Sequence, residues 1–432
     1  MTATMNIADR PSLLLCTLWL GVRLAVPEFT MAAQDAPDPL PSEPVFDAML
    51  SNGSIITGRI RSMSFEGPLE LVDEQGEDRI VEGEDLVKLS RHRSVVSQGG
   101  SEAPLVVLPL GDQIRGQLDA ADEQTIELRS SIFGALSIPL DAVVGFSITP
   151  ALNPQAEATT IRSLRDTARA SDRLFLVNGD ERDVTFSAVG ESEVAYLDAN
   201  RLQKLPKEMV QAVGLDPGLL QIPESPDRSF DFVFTDGSRL RLIELSIREG
   251  RLKGKTSIGV ELDAPIDRIA SCYALNERIV YLSEREAARE VTVPYVGPAR
   301  PVQTNTTVFG NPITVNGRQF LRGLGTQSRS LLAYQLQPED QRFQARLALD
   351  DIAGPLGNVV FRVLVDGEER YASPPVTSGV DPIAIDVDVS GGKFLILATE
   401  FGPGGGIRDY AVWIDARLIR EFGDTEPPVA GN

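Results

Sequence analysis

The sequence predicts an all-β chain: an N-terminal array of about four degenerate β-hairpin or small half-barrel repeats with short connector helices, then a C-terminal β-sandwich. Three observations predict it. Glycine-containing dipeptides that supply positive φ in tight hairpins, Asn52-Gly53, Gly111-Asp112, Asn178-Gly179 and Asp236-Gly237, each separate two β-rich runs. The runs around them recur with a period of about 40 to 45 residues. Beyond residue 300 the repeat stops, and alternating apolar runs such as Asn358–Gly367 and Lys393–Phe401 follow at sandwich spacing.

In chain order, residues 1–33 are read as a signal peptide. Ser12–Val22 is an apolar run of h-region length, preceded by Arg10 and followed by a small-residue site near Met31-Ala32-Ala33. It is short for a membrane span, so the expectation is export, to the periplasm or outside the cell. Loss of the signal would remove Cys16 and leave Cys272 alone. Residues 34–44 carry four prolines and no periodicity, which describes an extended linker.

Copy one then runs from Phe46 to Leu89, copy two from Pro104 to Ile148, copy three from Arg173 to Leu215 and copy four from Phe230 to Leu275. Each closes on an acidic-apolar segment such as Pro139–Val143 or Ala264–Ile269, read as a strand returning to pair with the first. Helices are expected over Thr159–Ala170, Lys207–Val213 and Leu282–Glu290, the last opening on a Ser283-to-Glu286 capping box. The first divides the array, so residues 45–150 and 171–277 are expected as two lobes joined by a connector at 151–170. Residues 278–299 are read as a connector helix and linker, 300–421 as the sandwich and 422–432 as a disordered tail.

Composition narrows the chemistry. Lys and Arg total 41 against 62 Asp and Glu, a net charge of −21, with the excess acid concentrated before residue 300. Such a surface repels phosphate, so nucleic acid is not an expected partner. One histidine, His92, and two cysteines exclude a multi-His zinc site and a CxxC redox pair. Any Ser-His or Cys-His catalytic pair would have to use His92, which sits between Arg91 and Arg93 as a solvated loop residue would. No catalytic residue is assigned. Arg239, Arg241, Arg248, Arg251, Lys253 and Lys255 form one basic island in copy four, read as a solvated hairpin face or as a dock for an acidic partner.

From Gly317 onward a series of motifs falls in order: Gly317 with Phe320, Gly323-Leu324-Gly325-Thr326-Gln327-Ser328, Phe343-x-Ala345, Leu349-Asp350-Asp351, Val359-x-Phe361-x-Val363-x-Val365-Asp366-Gly367, Ser373, Asp386-Val387-x-Val389-Ser390-Gly391 and Trp413-x-Asp415-Ala416-Arg417-Leu418. This set resembles the NPCBM/NEW2 family. The resemblance implies a jelly-roll-like β-sandwich whose loops bind a carbohydrate. Related sugar-binding modules suggest a structural calcium, for which Asp350 and Asp351 would be the oxygen ligands. The chain departs from the family in two places. Gln327 stands where the glycine motif usually has His, and Asp409-Tyr410-Ala411-Val412 stands where Asp-His-Ala-Asp is usual.

A glycan site needs an aromatic face for the sugar's C–H surface and planar amides or carboxylates for its hydroxyls. The block offers Trp413, Tyr410, Tyr371, Gln327, Asn358 and Asp409. Each has a plainer reading: Trp413 lies in an alternating run that suits a core, Asp409 and Gly402–Gly406 suit a surface turn, and Asp350-Asp351 suits a turn cap. Two functions follow. One is an exported, non-catalytic carbohydrate-binding protein. The other is a cell-envelope structural or protein-interaction protein whose sandwich no longer binds sugar and whose acidic repeats meet a protein partner, a reading that Gln327 and Val412 favour.

Overall fold

The hairpin dipeptides sit where the sequence places them. Gly53, Gly111, Gly179 and Gly237 have φ of 82°, 92°, 90° and 88°, a region that costs a residue with a Cβ and costs glycine nothing. The computed structural model describes residues 43–92, 103–224, 226–295 and 297–422. The expected signal segment, nearly all of the linker and of the tail, and Cys16 lie outside the described residues.

Copies one, three and four are five-stranded antiparallel meanders curled so that the last strand pairs with the first, and copy two follows the same course with its second strand broken at Gly116 into Gln113–Arg115 and Gln117–Ala121. In copy one, Val45–Leu50 pairs with Ile55–Ser64, which pairs with Leu69–Asp73 and then Asp78–Val81, and Leu86–Arg91 returns beside Val45–Leu50. Copy two closes with Gly145–Ser147 on Leu105–Val107, copy three with Val210–Gly214 on Asp172–Leu176, and copy four with Ile269–Leu275 on Ser229–Phe234. The second strand must pass close to the third to curl this way. A Cβ on Gly58 would lie 2.6 Å from the Val72 carbonyl oxygen, and one on the corresponding Gly116 would lie 2.7 Å from that of Arg129.

The helix expectations need correction. Only the first survives, and it is shifted: the helix is Pro154–Leu164, with Asn153 accepting from the Ala156 amide and proline at the first turn. Its end is set by Arg169, whose guanidinium takes the Ser163 and Leu164 carbonyls at 2.6 and 2.8 Å. Lys207–Val213 is instead a 3-10 turn, Lys207–Met209, followed by the return strand Val210–Gly214. The same turn recurs at Leu140–Ala142 and Ile266–Arg268, each time just after a proline, so repeat topology overrides local helix propensity. Leu282–Glu290 is likewise a 3-10 turn, Leu282–Glu284, before the strand Arg289–Thr292.

The copies do not pair as the two expected lobes, one with two and three with four. Return strands join copy four to copy one, Ser271–Tyr273 against Lys88–Ser90, and copy three to copy two, Ala212–Gly214 against Gly145–Ser147. Second strands join the same partners, Ile247 beside Met63 and Val189 beside Ala121. Equivalent edges meet antiparallel, the self-complementary arrangement of a two-fold contact. The lobes 45–150 and 171–277 expected from the sequence are crossed by these pairings. One apolar core, containing Phe46, Phe146, Phe186 and Phe230, runs through all four copies.

The C-terminal region is a β-sandwich. One sheet orders Gln303–Thr304, Gly323–Gln327, Tyr410–Arg420, Asp340–Leu349 and Ile383–Asp388; the other orders Arg289–Thr292, Ser330–Gln335, Phe394–Phe401, Asn358–Val365 and Glu368–Ala372. The strand burial pattern of Asn358–Val365, strictly alternating, puts Val359, Phe361, Val363 and Val365 in the core. The sandwich begins before residue 300. Ile279–Tyr281 pairs with Arg417–Ile419, and Arg289–Thr292 forms a sheet edge, so 278–299 belongs to this domain and is not a connector.

Repeats and sandwich meet over a buried ionic contact. Arg322, 4% exposed, pairs with Asp231 of copy four and with Glu284 at 2.7 Å, and its guanidinium lies over the Tyr281 ring at 4.6 Å. Burial works against the Asp231 carboxylate, yet Arg322 and Arg241 outweigh it and hold its pKa below the usual value. Beside it, burial of Asp415 is outweighed by Lys88 of copy one, Arg346 and Arg417, which bring its pKa to about 2. Val87, Tyr273, Ile279, Tyr281 and Ile419 close the apolar part of the contact.

Candidate functional site

The long strand Tyr410–Arg420 reaches the repeats near Arg417 and opens on a cleft at Tyr410, seven residues or roughly 20 Å away. Gln327 and Tyr410 are register partners at the end of one sheet. The chain crosses to the other sheet at Ser328, and the loop before Tyr410 brings up Gly406 and Asp409. Pro294, Tyr295, Pro298 and Arg300 wall the opposite side. Together they enclose a cleft of about 130 Å³.

Its lining is aromatic and polar. Tyr295 is 70% exposed and packs edge-on against Phe401 at 5.7 Å. Tyr410 is half-buried and packs edge-on against Phe309 at 4.7 Å. Phe309 also carries the Arg300 guanidinium 4.4 Å from its ring centre. The Gln327 amide and the Arg300 guanidinium make no hydrogen bond or ion pair with another described residue, so both are free for a ligand. The Phe309 loop is held from the repeats, because Arg162 on the helix Pro154–Leu164 donates to the Phe309 and Gly310 carbonyls at 3.2 and 3.1 Å.

The residues picked from sequence divide into two groups. Gln327, Tyr410 and Asp409 come together at the cleft. Asp409 nevertheless serves the fold: it is 2% exposed, accepts from Ser328 Oγ at 2.5 Å and from the Asn358 amide at 2.9 Å, and burial raises its pKa. Trp413 is a correction. It is fully buried, packs edge-on against Phe361 at 4.9 Å and donates from Nε1 to Thr399 Oγ1, so its ring is core and no platform for a sugar. Tyr371 is half-buried against the sandwich core outside the cleft lining. Asn358 stands behind the cleft, its Oδ1 buried against Gly402 without a hydrogen-bond partner among the described residues.

Asp350 and Asp351 are turn caps. Asp350 accepts from the amides of Thr314 and Ile352 at 2.8 and 3.0 Å, and burial raises its pKa to about 6; Asp351 accepts from those of Asn316 and Gly317. Among the described residues, no group of three or more His, Cys, Asp or Glu side chains is placed to hold a metal. The basic island of copy four disperses: Arg241 joins Asp231 at the domain contact, Arg251 pairs with Asp263 and Lys255 with Glu244.

Sequence reasoning missed Tyr295, Arg300 and Phe309. An aromatic bracketed by Pro294 and Pro298 was the available signal. It was hidden because the segment reads as a linker until the strand Arg289–Thr292 is seen to join the sandwich edge.

The fold and cleft define a β-sandwich domain set on a β-repeat scaffold. Residues 278–419 match the model of the NPCBM/NEW2 domain, with a start that agrees with the strand Ile279–Tyr281, so the resemblance read from the motifs holds over this region. A protein of Renibacterium salmoninarum named "Putative endo-alpha-N-acetylgalactosaminidase" is 27% identical over 167 residues, which is 36% of this chain and 11% of that protein. The chain thus spans about a tenth of that relative's length. Among solved structures, the CBM51-2 and INT domains of Clostridium perfringens ZmpB, with GlcNAc, match at 22% identity over 40% of this chain and 39% of that one, with a TM-score of 0.31. The CBM51 of Clostridium perfringens GH95, with methyl-galactose, matches at 27% identity over 32% of this chain and 99% of that one, with a TM-score of 0.30.

Proposed function

We propose that this chain is an exported, non-catalytic carbohydrate-binding protein that engages a glycan in the cleft between Tyr295, Gln327 and Tyr410. The observation that carries the reading is the pairing of aromatic surface with an unbonded amide in one concavity: Tyr295 and Tyr410 offer rings to a pyranose, and Gln327 offers a donor and an acceptor to its hydroxyls. The NPCBM/NEW2 match supports it, as does the 27% identical Renibacterium protein, whose name is that of a glycosidase. Two family departures, Gln327 and Tyr410, fall on the cleft lining, where they change which sugar fits without removing the concavity; Val412 is in the core beside Ile313 and Ile414. A non-catalytic role is supported by Asp409, Asp350 and Asp351, whose carboxylates are engaged with amide and hydroxyl donors.

The test is a glycan array and insoluble-polysaccharide pull-down with the full chain, with and without calcium, beside Tyr295→Ala and Tyr410→Ala. Binding that both variants weaken in a folded protein supports the reading; absence of binding to every sugar sampled would overturn it for those sugars. The second reading, a protein-interaction role in the cell envelope, is favoured by the buried Arg322–Asp231 contact, which makes the sandwich part of one scaffold with the repeats.

A further inference from the structure

The ligand class follows from the charge of the cleft. Its lining contains two ionisable groups of ordinary charge, Arg300 and Asp409. Asp409 is withdrawn: both its oxygens are taken by Ser328 and Asn358, and it is almost fully buried. Arg300 is presented: it is exposed, its guanidinium carbon lies over the Phe309 ring 4.4 Å from the centre, and no carboxylate among the described residues pairs with it. Many other arginines in this acidic chain do have carboxylate partners, among them Arg329 with Glu400, one strand end away from the cleft. A guanidinium held by an aromatic ring is pre-oriented for two-pronged recognition of two oxygens of a carboxylate or sulfate, and the ring restrains it at little entropic cost.

From this we infer that the cleft selects an acidic glycan, with Arg300 taking a carboxylate or sulfate while Tyr295 and Tyr410 contact the ring and Gln327 a hydroxyl. The inference rests on the carbohydrate reading above and gives it a substrate class. The repeats take part indirectly. Arg162 holds the backbone of the Phe309 loop, and Phe309 seats Arg300, so Arg162 is a positioning residue for the anion.

The experiment is calorimetric titration of the full chain with matched sugars, galacturonate against galactose and glucuronate against glucose, with galactose-6-sulfate as the sulfate arm. The acidic sugar of a pair should bind at least about tenfold tighter than its neutral match, as a charge-assisted hydrogen bond implies, and the preference should shrink as salt rises. Arg300→Gln should bring the acidic sugar down to about the affinity of the neutral one, a loss larger than any the neutral sugar shows; Arg300→Lys should retain part of the preference. Tighter binding of the sulfate than of the carboxylate identifies sulfate as the anion and supports the inference. Equal binding of acidic and neutral sugars, or a preference that Arg300→Gln leaves intact, overturns the inference while the carbohydrate reading stands. Failure of every sugar to bind overturns that reading itself.

Discussion

Arg322 of the sandwich and Asp231 of the fourth repeat form an ion pair across the domain contact, with Arg241 on the far side of the same carboxylate and the Tyr281 ring against the guanidinium. The geometry predicts that Asp231→Asn, which leaves Arg322 and Arg241 buried without that charge, destabilises the protein by about 3 kcal/mol or more. Denaturant unfolding checks this. Replacing both partners, Asp231→Leu with Arg322→Leu, should cost less than the single change, and a double variant as unstable as the sum of the singles would count against a direct pair.

Asp112 makes stability fall as pH rises toward neutrality. It is buried beside Asp231, and its pKa is raised to about 7 by burial and that neighbour, against the Arg241 amide and guanidinium. Its folded value lies above its unfolded value, so the native state holds a proton that the unfolded chain has lost. The stabilisation is complete below about pH 4 and is lost as pH climbs to 7, with Asp350, raised to about 6, acting in the same direction. Asp231 and Asp415, with lowered values, act only below that window. Asp112→Asn should therefore flatten the profile between pH 5 and 8, by an amount on the order of 2 kcal/mol. Urea melts at the two pH values with parallel differences in variant and parent would exclude it.

Trp413 and Tyr410 should separate stability from binding. Trp413→Ala empties a core site and should cost about 3 to 5 kcal/mol, so any lost binding follows unfolding. Tyr410→Ala should leave most of the stability in place and weaken binding. Thermal melts run beside titrations decide it; a stable Trp413→Ala protein with selectively lost binding would contradict the core assignment.

Arg162→Ala should reduce affinity for the acidic sugar a few-fold without contacting it, by releasing two backbone acceptors of the Phe309 loop. Its affinity for the neutral match should change less. An equal loss for both sugars would show that the loop shapes the whole cleft and not the seat of Arg300.

A fragment starting at residue 300 lacks the strands Ile279–Tyr281 and Arg289–Thr292 and the cleft wall at Tyr295. It should melt lower than a fragment starting at 278 and fail to bind. Calorimetric melting of the two fragments tests where the domain begins.

Local chemistry made much of this legible. The Asn-Gly and Asp-Gly turns, the alternation in Asn358–Val365 and the ordered motifs after Gly317 encode hairpins and a sandwich, because φ preference and face alternation are properties of neighbouring residues. Gln327, Tyr410 and Asp409, singled out from the family pattern, come together at one cleft. Trp413 was ambiguous for a physical reason: alternation separates the two faces of a strand but does not say what covers each, and the strand Tyr410–Arg420 is buried on both.

By itself, then, the sequence determined the strands, their turns, the repeat and the acidic balance of the chain. Tertiary structure alone decided that copy one pairs with copy four, that Lys207–Val213 becomes a 3-10 turn and a return strand, that Pro294, Tyr295, Pro298 and Arg300 line a cleft, and that Arg300 lies over a ring whose loop Arg162 holds from the repeats. These depend on contacts between residues far apart in the chain, where the energy of closing an edge or compensating a buried charge exceeds any local preference, and no local pattern records them.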